Sequence, residues 1–166
     1  MTMDKQIYQL AERAGEVLQN GGCVIAVAES CTGGWLAKMI TDVPGSSQWF
    51  DRGFVTYSNQ SKIDMLGVKP ETLDRHGAVS LEVVAEMAQG VIAKSAAEIS
   101  VAISGIAGPG GGTPDKPIGT VCFAWAMSGG EIRTETEHFF GSRSEIRQQA
   151  VVHGLSVICE LASSRG

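Results

Sequence analysis

Along the first 20 residues, Ile7, Leu10, Ala11, Ala14, Val17 and Leu18 recur three and four apart until Gly21-Gly22 interrupts them. That spacing predicts a helix over 4–20 with one apolar stripe. Residues 23–28 then form an unbroken apolar run of strand length, as expected for a strand covered on both faces. A sharp turn at 30–34 leads into a second helix ending near residue 41. Residues 50–57 contain Phe54, Val55 and Thr56 and favour the extended state. A short helix starts at Asn59, and a turn is expected over 68–70.

The second half follows the same rhythm. Ser80 caps a helix reaching about residue 97, with Glu82 and Glu86 in its first turns. Residues 99–103 are a second buried strand and enter a glycine-rich stretch. Residues 119–126 and 131–140 read as paired strands joined across Gly129-Gly130. Ser142 and Glu145 form a capping box for a last helix whose stripe is Ile146, Ala150, Val151, Leu155 and Ile158. Helices alternating with buried strands predict an α/β fold over residues 1–166. The expected architecture is a single-domain, three-layer α/β/α sandwich with a mixed, mostly parallel sheet.

Composition narrows the possible partners. At 166 residues the chain can bury a core without staples. Its net charge of −5 provides no basic field for nucleic acid or an anionic membrane, so neither partner is expected. No apolar run approaches the ~20 residues that cross a bilayer. Cys23, Cys31, Cys122 and Cys159 form no CxxC pair and follow no signal peptide, which predicts reduced thiols and a cytoplasmic protein. Neither the cysteines nor the three histidines have zinc-ligand spacing, so no metal is expected.

Four segments carry candidate chemistry. In AESCTGG at 28–34, Ser30 follows a buried strand and precedes a helix, where free N–H groups suit an oxyanion or a phosphate. On spacing alone the commoner reading is that Ser30 or Thr32 is merely an N-cap there, with Gly33 and Gly34 allowing tight packing. Cys31 is a rival nucleophile, because a helix N-terminus lowers a thiol pKa. In the second segment, Tyr57 to Lys62, a lysine partly desolvated in a pocket can activate a serine, and Tyr57 can orient the lysine or bond a substrate. An exposed lysine on a capped helix start is the plainer alternative.

The third segment, 104–120, exposes many backbone amides, as loops that cradle phosphates do. Ser104 within it is a further rival nucleophile or a ligand donor. The fourth holds Arg143 and Arg147 on one helix face, where an intervening phosphate would offset their mutual repulsion.

Taken together, AESCTGG at 28–34, GFVTYSNQSK at 53–62, HGAVS at 76–80, SGIAGPGGGTPDKPIGTV at 104–121 and FFGSR at 139–143 resemble the CinA C-terminal domain family. The likeness is to its stand-alone members, the nicotinamide-nucleotide amidohydrolases. This resemblance implies hydrolysis of nicotinamide mononucleotide to nicotinic acid mononucleotide and ammonia, without a cofactor, by a homo-oligomer. It places the family's serine, lysine and tyrosine on Ser30, Lys62 and Tyr57. The implied substrate contacts are Cys31, Thr32, Gly33, Ser104, Gly105, Gly108, Gly110 and Arg143. Longer members carry a metal-using nucleotide-pyrophosphatase domain that has no counterpart here, so neither that activity nor its metal is expected. The reading from another class is a non-catalytic nucleotide- or partner-binding module, in which Ser30 is only a cap.

Overall fold

Five strands form one sheet in the order β2-β1-β3-β4-β5: β1 (Ile25–Glu29), β2 (Phe50–Val55), β3 (Ile99–Gly105), β4 (Thr120–Met127) and β5 (Ile132–His138). The structure is a computed structural model that describes residues 2–165. β1 pairs in parallel with β2 and β3, while β4 runs antiparallel to β3 and β5. Four of the five strands therefore point the same way, and the sheet is mixed but mostly parallel.

The two faces differ in side-chain size. Successive strand residues point to opposite faces, and β1, β3 and β4 alternate large with small. Ile25, Val27, Ile99, Val101, Ile103, Val121, Phe123, Trp125 and Met127 pack on one side. Against them lie α1 (Met3–Asn20), α2 (Trp35–Thr41) and α6 (Arg143–Arg165), through residues such as Ile7, Leu36 and Leu155. Ala26, Ala28, Ala102, Cys122, Ala124 and Ala126 line the other side. That thin face is covered by α3 (Asn59–Leu66), α4 (Pro70–His76) and α5 (Leu81–Ala93).

Small side chains let helices come close. The Ser100 hydroxyl donates to the Ala88 carbonyl of α5 across 2.8 Å. Where α5 crosses the end of α3, a Cβ on Gly90 would overlap the Leu66 carbonyl. Only glycine permits that approach.

The helix ends follow the local chemistry. Ser80 accepts from the Val83 amide at 3.2 Å, and the Ser142–Glu145 capping box forms in both directions. Several boundaries differ from expectation. β1 starts and ends later than the 23–28 run, and α5 stops at Ala93 rather than near 97. α4 occupies a stretch where only a turn was expected at its start. Its sequence PETLDRH buries only Leu73, so it has no stripe to detect, although Pro70 at N1 is a start signal. β2 also departs from regular pairing. Phe50 aligns with Ile25 but Gly53 with Val27, so three residues of β2 span two of β1. This bulge puts Phe50 on the large face and Phe54 on the thin one. Among the described residues, no helix is long and apolar enough to cross a membrane.

Candidate active site

The thin face does not stop at the strand ends. Continuing its period of two carries Ala26 and Ala28 on to Ser30, and Ser100 and Ala102 on to Ser104. These serines are neighbours in register, since Glu29 pairs with Ile103 and the Ser30 amide donates to the Ile103 carbonyl at 3.0 Å. From β1 the chain leaves through α2 on the large face, and it reaches β3 through α3–α5 on the thin face. The crevice beyond the carboxyl ends of β1 and β3 is thus a switch point, where open α/β sheets bind ligands. A cavity of about 200 Å³ lies there.

Lys62 closes the bottom of this crevice. Although charged residues are rarely buried without a partner, Lys62 is 1 % exposed and, among the described residues, has no carboxylate beside it. Its Nζ lies 3.0 Å from Ser30 Oγ, 2.8 Å from the Thr56 carbonyl and 3.2 Å from the Tyr57 carbonyl. Burial lowers its pKa from 10.5, opposed by a smaller interaction with Cys31. Both carbonyls can only accept, so the two N–H bonds of a neutral amine are directed to them. In that neutral form the lone pair is left for Ser30 Oγ, whose hydroxyl also has the Tyr57 carbonyl as an acceptor at 3.4 Å. Nucleophile and base therefore stand within hydrogen-bond reach of each other.

The turn that presents Ser30 is held from both sides. Gly33 and Gly34 take φ of 59° and 103°, left-handed values that favour glycine. Glu29 points to the large face, where its carboxylate accepts from the Leu36 and Ala37 amides, both at 2.9 Å. The first turn of α2 is therefore already occupied by an anion, contrary to the expectation that its amides are free for a ligand. The amides left without an acceptor, among the described residues, include those of Cys31 and Thr32. Cys31 itself is buried, and burial pushes its thiol up to about 11, against the opposing charge of Arg147. At neutral pH that thiol is protonated and a poor nucleophile.

The cavity wall contains Ser30, Cys31, Tyr57, Lys62, Ser104, Gly105 and Arg143 of the sequence candidates. Tyr57 reaches Lys62 through its main-chain carbonyl, while its phenol lies at the mouth and accepts from Arg143 Nη2 at 3.3 Å. Arg143 also donates to the Gly108 carbonyl at 2.8 Å, which brings the glycine-rich loop to the mouth. Ser104 is buried, and among the described residues no base bonds its hydroxyl. Thr32, Gly33, Gly108 and Gly110 stand outside the wall, Gly110 on the exposed part of the loop. Arg143 and Arg147 part company, because Arg147 turns to the backbone of the Ser30 turn.

Sequence reasoning missed several participants. Asn59, Ala78, Val79 and Ala107 complete the wall, and Ala78 and Val79 belong to the HGAVS segment already singled out. Lys116 straps the glycine-rich loop to the His76 carbonyl at 2.6 Å. Glu29 and Lys116 sit inside quoted motifs, yet their partners lie on other elements.

Many known proteins match this chain. The nicotinamide-nucleotide amidohydrolase PncC of Escherichia coli (strain K12) is 52% identical over 155 residues, covering 93% of this chain and 94% of that protein. The protein of the same name from Pseudomonas putida is 46% identical over 95% of this chain and 98% of its own length. Among solved structures, the competence/damage inducible protein CihA of Agrobacterium tumefaciens superposes with a TM-score of 0.91 at 42% identity, covering 93% of this chain and 94% of that one. The sequence model of the CinA C-terminal domain matches residues 7–162. This chain belongs to the CinA C-terminal domain family.

Proposed function

We propose that this chain hydrolyses the carboxamide of nicotinamide mononucleotide to nicotinic acid mononucleotide and ammonia, with Ser30 as nucleophile and Lys62 as general base. The observation that carries the reading is the buried Lys62 amine 3.0 Å from Ser30 Oγ, with no carboxylate partner among the described residues. The relatives in Escherichia coli and Pseudomonas putida, both nicotinamide-nucleotide amidohydrolases by name, support the substrate.

In the first half-reaction the Ser30 proton passes to the Lys62 lone pair as Oγ bonds to the amide carbon. The carbonyl π electrons move onto oxygen, and the Cys31 and Thr32 amides receive the developing charge. Removing one such donor typically costs ~2.7–4 kcal/mol of transition-state stabilisation. The C–N bond then breaks, and Lys62 returns its proton to the leaving nitrogen, which departs as ammonia. Water attacks the resulting ester, again giving a proton to Lys62. Collapse breaks the ester C–O bond, releases the acid and re-protonates Ser30.

The crevice suits a ring rather than a whole nucleotide. Its volume of about 200 Å³ is below the ~300–1,000 Å³ of pockets that enclose drug-sized ligands. The pyridine carboxamide occupies it, and the ribose phosphate lies at the mouth beside Arg143. Glu29 reinforces that polarity by placing a negative charge at the start of α2. Phosphate binding far from the reacting amide then helps hold the amide against Ser30.

Ammonia release from nicotinamide mononucleotide by the wild type, Ser30→Ala and Lys62→Ala tests the proposal, with folding checked by circular dichroism. The expected result is turnover by the wild type and its loss in both folded variants. A folded wild type that releases no ammonia overturns the substrate, and full activity in Ser30→Ala overturns the nucleophile.

A further inference from the structure

Arg147 is half-buried on α6 and absent from the cavity wall, yet it touches the turn that carries Ser30. Its Nε donates to the Cys31 carbonyl at 2.9 Å and its Nη2 to the Thr32 carbonyl at 3.2 Å. The guanidinium also lies 5.4 Å from the centroid of Trp35, the first residue of α2. A planar fork on two successive carbonyls with an aromatic ring beneath it leaves little freedom to either partner.

The peptide plane turns this contact into a functional one. In a trans peptide the C=O and the next N–H point in opposite directions. The Cys31–Thr32 peptide is trans, so the bond from Arg147 to the Cys31 oxygen directs the Thr32 N–H to the side away from the guanidinium. A charged donor on the oxygen also polarises the peptide and strengthens its N–H as a donor. Among the described residues, that N–H has no acceptor. Across the same turn, Glu29 accepts from the α2 amides. The carboxylate and the guanidinium thus fix the turn from its donor and acceptor sides.

We propose that Arg147 is a positioning residue for the acylation of Ser30: through the Cys31 carbonyl it aims and polarises the Thr32 amide that receives the oxyanion, and through the Thr32 carbonyl it anchors the turn. The inference rests on the serine–lysine reading given above. It assigns Arg147 to the rate of the chemical step, and Arg143, four residues earlier, to the nucleotide.

The test is steady-state kinetics on nicotinamide mononucleotide for the wild type, Arg147→Met and Arg147→Lys, with product affinity and melting temperature measured alongside. Arg147→Met is expected to lower kcat by about tenfold to a hundredfold, less than outright removal of an oxyanion donor. KM and affinity for nicotinic acid mononucleotide should stay within about twofold. Arg147→Lys should restore part of kcat, since an ammonium reaches one carbonyl but cannot reproduce the fork. Unchanged kcat in a folded Arg147→Met overturns the proposal. A raised KM with kcat intact also overturns it and moves Arg147 to substrate binding. Should Arg147→Met fail to fold, Arg147→Lys carries the same comparison. If the wild type releases no ammonia, the underlying reading fails separately. The rate at which a fluorophosphonate labels Ser30 then decides the matter: slower labelling in the variant supports Arg147, and an equal rate removes it.

Discussion

The two faces of the sheet are made from the same three strands but do different work. The large face, with Phe123, Trp125 and the β-branched residues around them, buries most of the bulky apolar side chains. Phe123 and Trp125 stack at 5.5 Å, and His153 of α6 meets Phe123 edge-on at 4.8 Å. The thin face is mostly alanine and buries less per residue, but it lets α5 and α3 settle close to the strands. That closeness delivers Lys62 to Ser30, where the alternation of Ala26 and Ala28 runs out. Stability is concentrated on one face, and chemistry grows from the thinness of the other.

Substitutions that strike one face at a time sharpen this contrast. The largest effect is expected from Lys62→Met, which keeps the stem and removes the base. It should lower kcat by about a thousandfold to ten-thousandfold, near the upper range for general acid–base groups. The wild-type rate should also rise with pH and level off above a pKa lower than the ordinary 10.5 of lysine, because the amine acts when neutral. That limb should vanish in the variant. Linkage gives the same sign for folding. The folded state holds this proton more weakly than the unfolded state. Wild-type stability should therefore improve relative to Lys62→Met as pH climbs from the folded-state pKa towards 10.5, in urea titrations at several pH values.

Next comes Phe123→Ala on the large face. Loss of a buried aromatic there should cost ~3–5 kcal/mol in urea unfolding, while kcat of the protein that remains folded changes little. A comparable loss of kcat would show that the faces are not separable. The smallest effect is expected from Gly90→Ala. Its Cβ would push α5 from the end of α3. Overpacking of this kind costs ~1–3 kcal/mol, and a small displacement of Lys62 should lower kcat about tenfold. Stability lost without kcat would mean that the Gly90 contact does not position the lysine.

Much of this contrast is legible along the chain. Unbroken apolar runs such as 99–103 correctly mark strands covered on both sides. The size alternation within ISVAIS and VCFAWAM carries the finer message of which face is thin, and hydrophobicity alone hides it because Ala and Ile both count as apolar. Ser30 was placed by its strand-to-helix context, and Lys62 by residue type and motif. The distance between them, across 32 residues of chain, was not legible from spacing. Neither was Arg147, whose carbonyl partners lie 115 and 116 residues away and which looks from its neighbours like half of an exposed arginine pair. Glu29 was hidden differently. A carboxylate ending an apolar run gives no sign that it will cap the helix after the turn.

Two of the three groups around the Lys62 nitrogen are main-chain carbonyls, those of Thr56 and Tyr57. Every residue type brings a carbonyl, so exchanging the side chains at these positions does not delete those acceptors. What must be inherited is the route the backbone takes as it leaves β2, after the bulge between Phe50 and Gly53. The orientation of the base is thereby written into chain geometry more than into any neighbouring letter of the sequence. Homologues that preserve the bulge and Lys62 can vary at 56 and 57 over evolutionary time and still keep the two acceptors that hold the amine in place.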